Sequence, residues 1–322
     1  MLIQLIGAHA AQAPRLRALL GAGHEVHPLE RLPAEGPIRA DVLVTTRLTE
    51  EEAGRLDSRL LQVPGAGLDG VALDALPPGC TACNVFEHEI PIAEYVLFTV
   101  LEHVLELGAL PDRLDAWTWP AIHRDRPFHG EACGRTMTLV GFGHIGKEIA
   151  LRARALGMRI VAVTRRGQPD AAADRSLPVA QLREVLPETD VLVLCCPLDE
   201  GTRGLIGAAE LAAMKPSALL VNVARAEVAE EEALFEALRD RRIARAAVDV
   251  WYRYPKPGEA ECPPSRFPFH DLPNLRATPH ISGWTEGLME RRYALIAENI
   301  RRLAEGRPLE NVVRAGQGRE KG

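Results

Sequence analysis

A chain of 322 residues with 47% hydrophobic content and a net charge of −6 has the material for one or two folded domains around a sizeable core. Charges of both signs are mixed along it, so no nucleic-acid surface and no membrane patch are expected, and no apolar run is long enough to span a bilayer. Six cysteines scattered over this length do not make a disulfide framework, and the expected location is the cytoplasm.

In chain order, Met1-Leu2-Ile3-Gln4-Leu5-Ile6-Gly7 lacks a basic leader and reads as a first β-strand, not a signal peptide. Further apolar runs at 41–45, 60–63, 136–140, 159–163, 190–195, 218–223, 246–250 and 275–278 read as buried strands. Cys80-Thr81-Ala82-Cys83 has the spacing of half a zinc site, but no second Cys or His pair follows, so no metal site is expected. His88-Glu89 lacks the second histidine of a zincin helix, and Pro91 is expected to break a helix there. Residues 92–106 read as a long helix that links two domains. Residues 145–156 place Ile145, Ile149, Ala153 and Leu156 on one helical face, and Leu234 and Leu238 mark another helix over 230–239. The stretches 109–126 and 255–270 read as irregular. A tail helix over 285–303 returns to the first domain. Near-continuous apolar strands alternating with helices imply an α/β protein with parallel sheets covered on both faces.

Chemistry concentrates at residue 139 and beyond. Leu139-Val140-Gly141-Phe142-Gly143-His144-Ile145-Gly146 reads as a strand, a glycine-rich turn and the start of a helix. Gly141 allows the tight turn, Gly143 lets backbone approach a pyrophosphate, and Gly146 lets helix pack on strand. The free N–H groups of the helix start favour an anion. Eighteen residues after Gly146, Thr164-Arg165-Arg166 stands where an acidic residue normally holds the adenosine ribose. A hydroxyl and two guanidinium groups there suit a 2′-phosphate. The pattern points to NADP, with NAD bound more weakly.

Three further strand ends complete the pattern: Val221-Asn222-Val223-Ala224-Arg225, Ala247-Val248-Asp249-Val250 and Thr278-Pro279-His280-Ile281-Ser282-Gly283. Together with the glycine turn, in this order and spacing from about Val63 to Val313, they resemble the D-isomer-specific 2-hydroxyacid dehydrogenase family, which includes glycerate, lactate, phosphoglycerate and, more distantly, formate and phosphite dehydrogenases. The resemblance implies two Rossmann-like or flavodoxin-like domains with parallel sheets and an active-site cleft between them. It implies a split substrate domain, 1–95 with 286–322, around a dinucleotide-binding domain, 96–285, and a homodimer. It extends the nucleotide site to Phe142, His144, Ile145, Cys196, Pro197, Val223, Ala224, Asp249 and Gly283. It gives Arg225 the substrate carboxylate and His280 the acid/base role, and it makes Ala66 and Gly67, in Gly65-Ala66-Gly67-Leu68-Asp69, a carboxylate-binding loop. Reduction of a 2-oxo acid needs a hydride donor, a proton donor and a cation for the carboxylate; arginine and histidine suit the last two tasks.

Two positions depart from the family pattern. A Glu that pairs with the histidine is usual just before the proline after Asp249-Val250, and here Tyr254 precedes Pro255. A tyrosine bonds an imidazole without being a charge partner for imidazolium. The substrate-side Asn of the family maps to His88, between Glu87 and Glu89, which implies an altered substrate pocket or a replacement partner for His280. The leading reading is NADP-dependent reduction of a small 2-oxo acid to a D-2-hydroxy acid. The alternatives are oxidation of an unusual small anion on the formate or phosphite pattern, and a nucleotide-binding sensor with weakened turnover.

Overall fold

The computed structural model describes residues 1–256 and 258–316, with the backbone alone at Ala109. Pro257, in the stretch read as irregular, and residues 317–322, expected in the split domain, lie outside the described residues. The chain divides into two units, Met1–His88 with Thr285–Gly322, and Glu89–Trp284.

The first unit opens with strands β1 (Leu2–Ile6), β2 (Glu25–Leu29), β3 (Ile38–Arg39), β4 (Val42–Val44), β5 (Leu56–Asp57), β6 (Leu60–Gln62) and β7 (Thr81–Cys83), with helices α1 (Ala13–Leu20) and α2 (Glu50–Gly54) between them. A capping box starts α2: Thr49 Oγ1 accepts from Glu52 N, and Glu52 accepts from Thr49 N. Four of these strands, β2, β3, β5 and β7, lie outside the apolar runs of the sequence, and β3 and β5 are only two residues long. β2 reads Glu-Val-His-Pro-Leu with one buried residue. β7 covers Thr81–Cys83 of the two-cysteine segment, and the thiols of Cys80 and Cys83 are both buried. Burial pushes their pKa values up, Cys80 to about 11 and Cys83 to about 12, which opposes the thiolate form that a metal requires.

The second unit contains α3 (Glu89–Leu105), α4 (Thr118–Arg124), β8 (Thr136–Val140), α5 (His144–Ala155), β9 (Arg159–Thr164), β10 (Arg175–Pro178), α6 (Leu182–Val185), β11 (Val191–Leu194), α7 (Ala208–Ala213), β12 (Leu219–Asn222), α8 (Glu231–Arg239), β13 (Arg245–Val248) and β14 (Leu275–Ala277). Pro91 does not break α3: it lies in the first turn, where a missing N–H costs no hydrogen bond. The helix therefore begins three residues before the expected 92 and belongs to this unit as a whole. The sheet runs β10-β9-β8-β11-β12-β13-β14, all pairs parallel. β8, β11 and β12 are wholly buried. One face packs on α3 and α5 through Val96, Val100, Ile149 and Ala153. The other packs on α7 and α8, whose Leu211, Leu234 and Leu238 meet Val140, Leu194 and Leu220. Strand order reverses between β8 and β11. At such a switch point the carboxyl ends of the strands open a ligand crevice.

The chain then returns to the first unit with α9 (Glu286–Glu305) and β15 (Val312–Arg314). Thr285 caps α9, accepting from Leu288 N at 3.1 Å, and Gly306 ends it with φ +69°. Among the described residues the first unit's main sheet runs β15-β7-β6-β4-β1-β2. It is parallel except for β15, which pairs antiparallel with β7 at the edge. Leaving that edge strand aside, the order is flavodoxin-like, with its switch point at β1 and β4. α9 covers one face through Leu288, Tyr293, Ile296 and Ile300.

Candidate active site

The crevice end of the second unit's sheet is shaped by glycine. Gly141 follows β8 with φ +99°, and a Cβ there would sit 2.7 Å from Cys196 N. A Cβ on Gly146 would sit 2.5 Å from the carbonyl oxygen of Gly141. These two glycines let the turn and the start of α5 lie against the end of β11, where Cys195 Sγ donates to Gly141 O at 3.1 Å. Gly143 differs: it caps α5, and nothing lies within 4 Å of a Cβ built on it. Open space over a bare backbone at the start of a twelve-residue helix suits a pyrophosphate. Phe142 and Ile145 are half-buried against the core, and His144 is exposed at the first helical position.

A cavity of about 240 Å³ adjoins this turn, lined by Gly141, Thr164, Arg165, Cys196, Pro197 and Asp199 among others. Its size and its place between the ends of β8, β9 and β11 fit an adenosine. Thr164 ends β9, and its hydroxyl accepts from Gly167 N at 3.0 Å. Arg165 is not an uncommitted cation, since its Nη2 donates to Asp199 Oδ2 at 2.8 Å. Arg166 is exposed beside it. Asp199 escaped the sequence reading; its place two residues after Pro197 is the signal that existed.

Further along the sheet, two polar side chains tie down the loops that carry the candidate catalytic groups. At the end of β12, Asn222 Oδ1 accepts from Ala224 N at 3.1 Å and its Nδ2 donates to Arg225 O at 3.0 Å. Val223 and Ala224 are thereby buried and Arg225 is half-buried. After β13, Asp249 is fully buried. It accepts from Thr278 Oγ1 at 2.6 Å and from the backbone N–H groups of Ile281 and Ser282 at 2.9 Å each. Thr278 is held again by Tyr95, whose hydroxyl lies 2.9 Å from its Oγ1, and by Trp251 Nε1, which donates to its carbonyl at 2.8 Å. This frame bends the chain so that His280 takes φ +61°, a left-handed conformation that costs a non-glycine residue energy unless its surroundings impose it. Half-buried Gly283 completes the turn. The anchoring roles of Tyr95, Trp251 and Asn222 also escaped the sequence reading: Asn222 stands within a strand-end motif that gave it no role, and Tyr95 carries no motif that marks it.

His280 Nδ1 lies 2.9 Å from the hydroxyl of Tyr254. That hydroxyl oxygen also accepts from Trp251 N at 3.2 Å. Burial lowers the His280 pKa from its ordinary value; Asp249 opposes this and the charge of Arg225 adds to it. Burial raises the Tyr254 pKa, so the phenol is neutral at neutral pH. Arg225 acts electrostatically on both residues. The second unit thus brings Arg225, Asp249, Tyr254 and His280 together at the carboxyl ends of its strands.

In the first unit, the loop after β6 lies beside the segment after β7. Val85 N donates to Gly65 O at 3.2 Å, and Asn84 Nδ2 donates to Ala66 O at 3.1 Å. Gly67 is exposed and His88 half-buried. Glu87 has φ +76° and is engaged by Arg291, which reaches its carboxylate at 3.1 Å and its carbonyl at 3.2 Å.

Comparison with known proteins agrees with this architecture. Residues 97–282 match the model of the D-isomer specific 2-hydroxyacid dehydrogenase NAD-binding domain. The chain is 35% identical to (S)-sulfolactate dehydrogenase of Chromohalobacter salexigens over 80% of its own length and 81% of that protein's. It is 32% identical to glycerate dehydrogenase of Methylorubrum extorquens over 87% of this chain and 83% of that one. The NADPH-dependent glyoxylate/hydroxypyruvate reductase of Sinorhizobium meliloti, solved with NADP and sulfate, shares the fold at a TM-score of 0.76, with 23% identity over 97% of this chain and 98% of that one. The chain belongs to the D-isomer specific 2-hydroxyacid dehydrogenase family.

Proposed function

We propose that this dehydrogenase reduces a small 2-oxo acid to the D-2-hydroxy acid, with NADPH preferred over NADH. The observation that carries the reading is the grouping of a half-buried guanidinium, Arg225, with an imidazole held in a strained backbone conformation, His280, at the carboxyl ends of adjoining strands. Arg225 pairs with the substrate carboxylate and fixes its plane. His280 gives a proton to the carbonyl oxygen as the C2 carbon is reduced. Tyr254 positions the imidazole through Nδ1. Gly141, Gly143 and Gly146, with the first turn of α5, hold the pyrophosphate of a nicotinamide nucleotide, which supplies the hydride when bound. Arg166, beside an Arg165 already paired with Asp199, carries most of the selectivity for a 2′-phosphate. The substrates named for the relatives, sulfolactate and glycerate, make sulfopyruvate and hydroxypyruvate the first oxo acids to try.

The test is NADPH and NADH oxidation followed at 340 nm with a panel of 2-oxo acids. Turnover with at least one of them, lost in His280→Ala while nucleotide affinity persists, is the expected result. Tight nucleotide binding with no turnover on any acid would favour the sensor reading instead. We further infer a homodimer, because Leu114, Trp117 and Phe128 leave large apolar side chains in solvent on the segment around α4. Light scattering of the purified chain reads the mass directly.

A further inference from the structure

The first unit contains a cation that its fold leaves uncompensated. Arg292 lies in α9 on the face that carries Leu288, Met289, Tyr293 and Ile296 into the apolar core, and it is 7% exposed. Its Nε is buried without a hydrogen-bond partner. Among the described residues it forms no ion pair, and the neighbouring Tyr293, whose pKa burial pushes up, is a neutral phenol at neutral pH and no counter-charge. Its neighbours show what a satisfied arginine looks like here. Arg291 grips Glu87, and Arg15, which also acts electrostatically on Tyr293, pairs with Glu286. A charge taken out of water without a counter-charge or hydrogen bonds is strongly disfavoured. A guanidinium held this way, with its Nε unpaired, is suited to take up an oxyanion from outside.

The surroundings of Arg292 fit that role. His9 is 5% exposed and lies in the turn that directly follows β1. Its Nδ1 is 2.9 Å from the hydroxyl of Tyr293. Burial first, and the charge of Arg292 second, hold its pKa down at about 4, so at neutral pH it adds no charge to that of the arginine. β1 is one of the two strands at the switch point of this sheet, and ligands of doubly wound sheets bind at the carboxyl ends of those strands.

We infer that Arg292, backed by His9 and Tyr293 at the carboxyl end of β1, is a binding site for a small oxyanion group: a carboxylate, sulfonate or sulfate. The planar guanidinium fork matches two oxygens of such a group. The same chemistry has two sources, a free inorganic anion or a second acid group on a 2-oxo acid substrate. Only the second source rests on the reductase function proposed above.

Sulfate titrated into the nucleotide-loaded full chain by calorimetry tests the site, in the parent, Arg292→Met, Arg292→Lys and Arg225→Gln. Saturable binding in the parent should persist in Arg225→Gln, weaken at least tenfold in Arg292→Met and be partly kept in Arg292→Lys. Without sulfate, Arg292→Met should melt at or above the parent temperature, because an unpaired buried cation is replaced by an apolar side chain. No saturable binding in the parent, equal affinity in Arg292→Met, or an Arg292→Met that melts well below the parent without sulfate would each overturn the assignment; the last would show the guanidinium to be an internal strut. Kinetics with oxaloacetate and glyoxylate then identify the source. A tenfold rise in KM for oxaloacetate in Arg292→Met, with glyoxylate within twofold, supports a second acid group of the substrate. Unchanged values for both, with sulfate binding lost, support a free anion. A parent that reduces no 2-oxo acid defeats the reductase reading and leaves the sulfate titration to decide this one.

Discussion

Replacing Tyr254 by glutamate puts a negative charge beside an imidazole that now has a neutral partner. In the proposed reaction, reduction uses protonated His280, and burial has moved the pKa of that residue below its ordinary value. The reductive kcat/KM should therefore decline as pH rises through a value below the usual histidine range. A glutamate is shorter than tyrosine, so its carboxylate would stand about 5 Å from Nδ1, where Coulomb's law gives roughly 3 kcal/mol at an effective dielectric of 20 and roughly 0.8 kcal/mol in water. Tyr254 is 46% exposed, which places the effect toward the lower figure. About 1.4 kcal/mol moves the decline up by about one pH unit and raises the reductive rate roughly tenfold at pH values above it. The assay is kcat/KM for 2-oxo-acid reduction from pH 5 to 9 in the parent, Tyr254→Glu and Tyr254→Phe. The Phe variant keeps the ring and removes the hydroxyl, so it separates charge from packing. Superimposable profiles in parent and Tyr254→Glu would refute the reasoning, because they would mean that position 254 does not set the basicity of His280.

The glycines of the dinucleotide turn should separate by variant. Gly143→Ala should fold with parental stability, because its Cβ meets no protein atom, yet lose at least tenfold in nucleotide affinity; Gly146→Ala should lose about 2–4 kcal/mol of stability as well, because its Cβ meets backbone at 2.5 Å. Urea denaturation with nucleotide titration checks both. Asp199→Asn should free Arg165 and raise the preference for NADPH over NADH severalfold, a modest change because the ion pair is exposed and worth at most about 1 kcal/mol; competition between the two nucleotides measures it. His9, held at about 4 against an ordinary 6.5, takes up its proton more readily in the unfolded chain. Stability should therefore fall as pH drops from 6.5 toward 4, by about 2 kcal/mol between pH 7 and pH 5, and His9→Asn should remove that part of the acid sensitivity in denaturant midpoints.

What could be read from the sequence followed burial. Strands covered on both faces, such as β8 and β11, are near-continuous apolar runs, and the glycine turn after β8 is fixed by backbone geometry that tolerates few alternatives. β2, a five-residue strand with one buried residue and a proline, and the antiparallel edge strand β15 had no such signal. Tyr254 was legible as a departure at one position, and its hydroxyl does lie beside His280. The anchoring groups Tyr95, Asn222 and Thr278 were not legible as such, because their role depends on loops that only the folded sheet brings to one end. Arg292 shows the limit most plainly: one arginine of the pair Arg291-Arg292 faces a carboxylate and the other the core, a difference of helical phase that sequence alone leaves open.

The buried carboxylate of Asp249 has a consequence for local stability. The segment from Thr278 to Ser282 lies past the end of β14, so no sheet ladder secures Ile281 and Ser282; their backbone N–H groups end on one side chain. Opening this loop breaks those bonds without disturbing the strands, whereas exchange of the amides in β8, β11 and β12 requires the unit to unfold. Amide hydrogen exchange should then resolve two layers, a slow sheet and a faster rim at the carboxyl ends of its strands. Asp249→Asn should speed exchange at Ile281 and Ser282 while leaving the amides of β8 unchanged. The loop that carries His280 then opens as its own cooperative element, with the Asp249 carboxylate as the latch on its far side and Tyr95 and Trp251 holding its start at Thr278.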